Sequence, residues 1–246
     1  MTGEGAANGP DAAEASAPSL ACSIPFEWLP AQGQPEQLIV LLHGWASQAR
    51  ALLPLAEALR ALWPQAAILL PQADAAADAG RRGQQWYSLE GLSAAGVWAA
   101  RVDAVATQLQ PWLRAQQQRL AVAPQATALG GFSQGGIISL ALAQLEDGLC
   151  GRVLSFGGCL VRTPTAAPRH TTVHLFHGSE DQTIPAERSR QAIKALGALQ
   201  GDVTLDIAEG VGHVLHPSLI DAALHRLRSH IPLRTWQRAL GHAPEG

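Results

Sequence analysis

The amino-acid sequence predicts an α/β domain with a mainly parallel central sheet and helices on both faces of that sheet. Short apolar runs alternate with longer segments of helical periodicity along most of the 246 residues, which is the order that β-α-β units produce. The apolar runs are continuous, and strands of that kind are buried on both faces. We therefore expect the functional site in the loops at the carboxyl ends of these strands.

Six apolar runs are predicted as strands and five periodic segments as helices. The strands are placed at 38–42, 67–70, 127–129, 153–156, 173–176 and 203–207. The helices are placed at 49–62, 97–119, 134–145, 185–199 and 217–230. An antiparallel edge strand is also predicted at 26–29, although Pro25 and Pro30 weaken that pattern.

One domain with one core is expected, because 246 residues, of which 47% are hydrophobic, suffice to build it. Residues 1–20 are mostly small and polar, so they cannot bury enough apolar surface to offset the entropy of ordering. We expect them to form a disordered tail. The domain is placed at 21–232 and a C-terminal extension at 233–246.

The bulk composition excludes several classes of protein. A net charge of −3 with scattered arginines offers no basic stripe for nucleic acid. No apolar stretch approaches the roughly 18 residues that span a bilayer, and the acidic start is unlike a signal peptide. The three cysteines show no C-x-x-C spacing, which favours reduced thiols and a cytoplasmic location; they are Cys22, Cys150 and Cys159.

Ser133 lies in the sequence Gly-Gly-Phe-Ser-Gln-Gly-Gly at 130–136, between a predicted strand and a predicted helix. A strand that turns sharply into a helix needs small residues two before and two after the serine, and Gly131 and Gly135 supply them. Such a turn would expose the Ser133 hydroxyl and direct the Gln134 amide at a developing oxyanion. Hydrolysis of an acyl bond is the leading hypothesis, and a glycine-rich turn in which the serine only caps the helix is the alternative.

A serine nucleophile needs a general base and a group that orients this base. His213 is the candidate base, because it follows the last predicted strand in a loop; an exposed loop histidine is the alternative. Asp181 is the candidate acid, in a turn before Pro185, where it could equally be only a turn or capping carboxylate. Glu180 is the next candidate. The chain order serine, aspartate, histidine is the one found when such a triad is built on a parallel sheet.

A second oxyanion donor is expected after an early strand. The run Leu41-Leu42-His43-Gly44-Trp45 ends such a strand with a glycine, so we predict the Trp45 amide as the partner of the Gln134 amide. His43 is predicted to bond this loop and not to act as the base.

Four motifs together resemble the α/β-hydrolases of the small carboxylesterase, phospholipase and acyl-protein thioesterase family, above all the YpfH-type bacterial esterases. The motifs are Leu42-His-Gly-Trp45, Gly131-Phe-Ser-Gln-Gly-Gly136, His177-Gly-Ser-Glu-Asp181 with Ile184-Pro185, and Gly212-His213. The likeness extends over about residues 36–232. It implies Ser133 as nucleophile, His213 as base, Asp181 as the residue that orients the base, and the Trp45 and Gln134 amides as oxyanion donors.

The resemblance also implies a serine carboxylesterase that acts through an acyl-enzyme and needs no cofactor. Esters with short to medium acyl chains are the expected substrates, and acyl-protein thioesters or lysophospholipids are the alternative. Many relatives have leucine where this chain has Trp45, so the indole could shorten or reshape the acyl pocket. A catalytically silent binding protein of the same fold is the non-enzyme alternative, although such chains usually lose a member of the triad.

Other polar and aromatic residues are assigned lesser roles. Trp86 and Tyr87 lie in a long connection and are tentative substrate-binding residues, with simple packing of Trp86 as the alternative. No metal is expected at His174 and His177, because an odd spacing on an extended segment turns them to opposite sides. Cys159 is expected to be inert. As partners we expect a small-molecule or lipid ester, no nucleic acid and no integral membrane segment; a homodimer is left open.

Overall fold

A computed structural model describes residues 22–240; the predicted tail at 1–20 and the last part of the predicted extension lie outside this range. The strands are β1 Cys22–Trp28, β2 Gln37–Leu42, β3 Ala66–Ala73, β4 Thr127–Phe132, β5 Arg152–Phe156, β6 Thr172–Gly178 and β7 Val203–Ala208. The helices are α1 Leu53–Leu62, α2 Val97–Arg119, α3 Gln134–Leu145, α4 Glu187–Ala198, α5 Pro217–Ser229 and α6 Leu233–Ala239. All six central strands and all five helices expected from the sequence are present.

The strands form one sheet in the order β1-β3-β2-β4-β5-β6-β7. Every pair is parallel except β1 with β3, which is antiparallel. The predicted edge strand is therefore confirmed, and it begins earlier than expected. Its register shifts between Ser23 and Phe26, around Pro25, because a proline cannot donate to the ladder and is tolerated at an edge.

Two cores cover the two faces of the sheet, as the continuous apolar strands predicted. On β2, Leu38, Val40 and Leu42 face the core formed with α2, α3 and α4. Ile39 and Leu41 face the other core, formed with α1 and α5. Each buried valine, leucine or isoleucine stabilises the fold by about 1.5–3 kcal/mol, so these five residues hold β2 between two helical layers.

Helix boundaries differ from the prediction where proline or tertiary contacts decide them. The predicted helix at 49–62 is a 3₁₀ turn at Ala49–Leu52 followed by α1, because Pro54 has no N–H for a continuous α-helix and suits a helix start. Helix α6 was not predicted. Its first amide, that of Leu233, donates to Asp202 Oδ2 at 3.1 Å, and Arg234 donates to Thr172 Oγ1 at 3.1 Å.

His174 is a buried neutral histidine of β6, at the end of the sheet opposite the carboxyl ends of the strands. Arg152 can only donate, and it lies 2.9 Å from His174 Nε2. The ring proton is therefore on Nδ1, which donates to Thr204 Oγ1 at 2.8 Å. Burial, reinforced by the positive Arg152, lowers the pKa of His174 to about 3.

Acid is expected to destabilise the protein through His174. The folded chain binds fewer protons at this residue than the unfolded chain, so its contribution is complete above about pH 6.5 and is lost as pH falls toward 3. Between about pH 6.5 and pH 5 the loss is about 2 kcal/mol, at about 1.4 kcal/mol per pH unit. Urea unfolding at both pH values should show a smaller loss in His174→Gln, and equal losses in the two proteins would contradict this.

Candidate active site

Ser133 occupies a strained turn between β4 and α3. Its backbone has φ +55° and ψ −114°, a conformation that non-glycine residues rarely adopt and that costs on the order of 1–3 kcal/mol. The Ser133 amide donates to the Phe156 carbonyl at 2.8 Å, which ties the turn to β5. Although Ser133 is the residue before α3, its hydroxyl makes no capping bond to that helix, so the capping alternative is not the arrangement found.

Gly131 and Gly135 make this turn possible, as the sequence predicted. A Cβ on Gly131 would lie 2.5 Å from the carbonyl oxygen of Leu42 and from the carbonyl carbon of Gly135. A Cβ on Gly135 would overlap the same Leu42 oxygen. The start of α3 therefore packs directly on the backbone of β2, and only glycine fits at either position.

Asp181 and His213 are brought together at the carboxyl ends of β6 and β7. His213 Nδ1 lies 2.6 Å from Asp181 Oδ2, in a pair whose carboxylate is 1% exposed and whose imidazole is 17% exposed. Asp181 Oδ1 accepts from the amides of Thr183 and Ile184 at 2.9 and 2.8 Å. Asp181 thus holds its own turn and the histidine at once. A carboxylate acceptor requires the proton on Nδ1, which leaves the Nε2 lone pair available.

The imidazole of His213 also lies against the residues around Ser133. Its ring centre is 4.8 Å from that of Phe132, and a Cβ on Gly157 would lie 3.3 Å from His213 Cε1. Within residues 22–240, no hydrogen bond joins His213 to Ser133. The structure therefore forms the bond between Asp181 and His213 and places His213 against Phe132, the neighbour of Ser133, while no bond joins His213 to Ser133 among these residues. Bonds of this kind often tighten only when substrate binds.

Two segments with predicted oxyanion donors flank Ser133. Gln134 is the first residue of α3, so its amide has no partner within that helix. On the other side, a Cβ on Gly44 would lie 3.4 Å from the Cβ of Ser133, and the Trp45 amide follows Gly44 directly.

His43 holds this second segment in place, which confirms that it bonds the loop. The Ala73 amide donates to His43 Nε2 at 3.1 Å, so the ring proton is on Nδ1, which lies 2.8 Å from the Gly44 carbonyl. Burial lowers the pKa of His43, and the ring stays neutral. Gln72 adds a second anchor, because its Oε1 accepts from the Ala49 amide at 2.7 Å.

Trp86 and Tyr87, the tentative substrate-binding residues, are 5% and 6% exposed and belong to the core. The Trp86 indole donates to the His43 carbonyl at 2.9 Å, and the Tyr87 hydroxyl accepts from Trp98 at 3.2 Å. These contacts support the packing alternative. Both residues are almost completely buried, which favours packing over contact with substrate.

Trp45, the third tentative substrate-binding residue, is half-buried. Its indole donates to Gln85 Oε1 at 2.8 Å, and the Arg81 guanidinium lies 5.7 Å from the ring centre. The indole is thus held by residues 81–85, while the Trp45 amide lies in the segment beside Ser133.

The side chain of Gln134 has a role that the sequence did not indicate. It is 2% exposed, its Oε1 accepts from the Trp86 amide at 3.1 Å, and its Nε2 donates to the Tyr87 carbonyl at 2.7 Å. From the sequence, only the backbone amide of Gln134 was predicted to have a role. No local pattern indicates a side-chain hydrogen bond to a residue 47 positions away. Gly157, which lies against His213, was also not predicted as part of the site. The glycine pair Gly157-Gly158 at the end of β5 could have indicated it.

Other candidate groups are separate from this chemistry. Burial raises the pKa of the Cys159 thiol to about 11, which agrees with an inert role. In the part of the chain that the structure describes, no three histidine, cysteine or acidic residues are grouped as metal ligands would be. None of the helices between residues 22 and 240 is long and apolar enough to span a bilayer.

Comparison with known proteins finds relatives among esterases and acyl-protein thioesterases. The sequence matches the family described as phospholipase/carboxylesterase over residues 28–231. Esterase YpfH of Escherichia coli (strain K12) is 35% identical over 211 residues, which are 86% of this chain and 90% of that one. Acyl-protein thioesterase 1 of Gibberella zeae is 34% identical over 119 residues, 45% of this chain and 51% of that one.

Solved structures have the same fold. The crystal structure of esterase PE8 has a TM-score of 0.76 at 27% identity and covers 85% of this chain and 99% of its own. A carboxylesterase from Mesorhizobium loti has a TM-score of 0.67 at 16% identity and covers 78% of this chain and 88% of its own. At 16% identity, the similarity to the Mesorhizobium loti carboxylesterase concerns the fold alone.

Proposed function

The chain belongs to the phospholipase/carboxylesterase family and has the α/β-hydrolase fold, and we propose that it hydrolyses carboxylic esters through an acyl-enzyme formed on Ser133. The observation that carries this proposal is the 2.6 Å bond between His213 and a buried Asp181, with the His213 ring against Phe132, which precedes a serine held at φ +55°. Acyl transfer uses a strained serine, a buried carboxylate and an available imidazole nitrogen together. Few purely structural roles need all three.

The first half of the reaction forms the acyl-enzyme. His213 Nε2 takes the proton of the Ser133 hydroxyl while Oγ attacks the ester carbonyl carbon. The imidazolium that results is stabilised by the Asp181 carboxylate at Nδ1. The same proton then passes to the leaving alkoxide as the ester carbon–oxygen bond breaks. In the second half, water replaces the alcohol, and His213 takes its proton and returns it to Ser133.

The negative oxygen of each tetrahedral intermediate is assigned to the amides of Trp45 and Gln134. Both amides are in segments packed beside Ser133, and their positions are fixed before substrate arrives by His43 and by the first turn of α3. A donor that is already oriented stabilises the developing charge without reorganisation.

The substrate class proposed is esters of short to medium acyl chains. A cavity of about 260 Å³ lies between α3 and residues 159–165, with Ile137, Leu140 and Leu160 among its lining residues. One lining residue, Ile137, lies one turn of α3 after Ser133, and its amide donates to the Ser133 carbonyl at 3.0 Å. This volume is below the roughly 300–1,000 Å³ of small-molecule pockets, which favours a short acyl chain as the group that it would hold.

Thioesters of acylated proteins and lysophospholipids are the second candidate substrates, since part of the chain is similar to an acyl-protein thioesterase. The proposed cellular location is the cytoplasm. The three cysteines are all free thiols, which favours the cytoplasm, and a homodimer is left open.

A fluorophosphonate probe and a panel of matched substrates test the proposed function. We expect the probe to label the peptide that contains Ser133, as identified by mass spectrometry. With p-nitrophenyl acetate, butyrate, octanoate and palmitate, kcat/KM should be highest for one of the shorter chains. A label on another residue, or no hydrolysis of any ester, would reject the proposal.

The same panel separates the alternatives. Butyryl and octanoyl thioesters should be cleaved more slowly than the p-nitrophenyl esters that carry the same acyl groups. Lysophosphatidylcholine should also be cleaved more slowly than these oxygen esters. Faster cleavage of the thioesters would favour a thioesterase, and faster cleavage of lysophosphatidylcholine would favour a lysophospholipase.

A further inference from the structure

A second histidine contacts the carboxylate that orients the base. His177, on β6, has a side chain that is 0% exposed, and its Nε2 lies 3.2 Å from Asp181 Oδ2. The same nitrogen lies 2.7 Å from the Ile184 carbonyl, and Nδ1 lies 2.7 Å from Ser189 Oγ on α4. All polar atoms of this imidazole are therefore engaged.

The contacts of His177 fix its protonation. A carbonyl can only accept, so the ring proton is on Nε2, between the Ile184 carbonyl and Asp181. Nδ1 then accepts from the Ser189 hydroxyl. Burial lowers the pKa of His177, so the ring donates as a neutral group and adds no second positive charge beside His213.

His177 acts on both oxygens of the Asp181 carboxylate. Its Nε2 faces Oδ2, the oxygen that accepts from His213. Through the Ile184 carbonyl it also holds the residue whose amide donates to Oδ1 at 2.8 Å. Removing the imidazole would free Oδ2 on one side and loosen the turn that holds Oδ1.

We propose that His177 is a positioning residue for ester hydrolysis, which holds the Asp181 carboxylate so that Oδ2 stays aligned with His213 Nδ1. This inference rests on the proposed function of Asp181 and His213. His177 touches no reacting atom. It cannot be the base, because Nε2 carries the ring proton and Nδ1 already accepts from Ser189. A misplacement of about 1 Å in such a site can lower the rate on the order of 10²-fold.

Two substitutions of His177 separate positioning from packing. The amide nitrogen of glutamine reaches as far along the side chain as Nε2, whereas that of asparagine reaches only as far as Nδ1. We expect His177→Asn to lower kcat for p-nitrophenyl butyrate on the order of 10²-fold, with KM within about 2-fold. His177→Gln should recover at least about 10-fold of that loss. Ser189→Ala, a milder change, should lower kcat by about 3-fold or more at unchanged KM.

His174→Asn is the matched control, because His174 is also buried on β6 but bonds Arg152 and Thr204 at the far end of the strand. It should keep kcat within about 3-fold, while urea unfolding compares the stability of the variants. Wild-type kcat in folded His177→Asn, or an equal loss of kcat in His174→Asn, would overturn the inference. If His177→Asn does not fold, an unchanged kcat in Ser189→Ala would overturn it. The absence of Ser133-dependent hydrolysis in wild type would instead reject the proposed function.

Discussion

Ser133→Ala is expected to lower kcat for p-nitrophenyl esters on the order of 10⁶-fold, because the variant has no atom on which an acyl-enzyme can form. The oxyanion amides remain, so a small rate above that of water is expected to survive. Labelling by a fluorophosphonate probe should disappear with the hydroxyl. Hydrolysis assays of the purified wild type and variant measure the difference in kcat, with the concentration of active sites in wild type determined by titration.

Ser229→Ala is a suitable control for this substitution, since Ser229 lies at the end of α5 and its hydroxyl bonds the His225 carbonyl on the surface. It should keep both the wild-type kcat and the label. Labelling that persists in Ser133→Ala would show that another residue is the nucleophile.

Asp181→Asn is expected to lower kcat on the order of 10⁴-fold while the fold is retained. The side-chain oxygen of the introduced asparagine can still accept from the amides of Thr183 and Ile184, so the turn is preserved. The group that faces His213 then becomes an NH₂, which obliges Nδ1 to accept and moves the ring proton to Nε2. An imidazole with its proton there cannot take the proton of Ser133. Hydrolysis rates and circular dichroism together measure this outcome.

Glu180→Gln is the matched control, because Glu180 is the adjacent carboxylate but its side chain is exposed. It should keep near-normal kcat. A large loss in Glu180→Gln together with near-normal rates in Asp181→Asn would assign the acid to Glu180.

The fold and the turn at Ser133 were predictable because both depend on local patterns. Runs of buried apolar residues mark the central strands, and the spacing of Gly131 and Gly135 around Ser133 marks a turn that only glycines allow. The edge strand was predicted in place but not in length. Helix α6 was not predicted, because its start depends on a bond to Asp202, which is 31 residues away.

Other parts of the site depend on packing between distant segments. Trp86 was an open choice between substrate contact and packing, and the bond from its indole to the His43 carbonyl favours packing. The side chains of Gln72 and Gln134 hold loops around Ser133 through bonds of the same long-range kind. No periodicity or motif reports such a contact.

The sequence alone determined that this chain is an α/β domain with a serine in a glycine-framed turn, since hydrophobic periodicity and steric room are properties of neighbouring residues. Only the tertiary structure decided that, among the histidines of residues 22–240, a second one joins the predicted His213 at Asp181. It places two there, His213 with its Nε2 available and His177 with both nitrogens engaged. Asp181 and His213 are 32 residues apart, and they meet because parallel strands bring their carboxyl ends to one edge of the sheet.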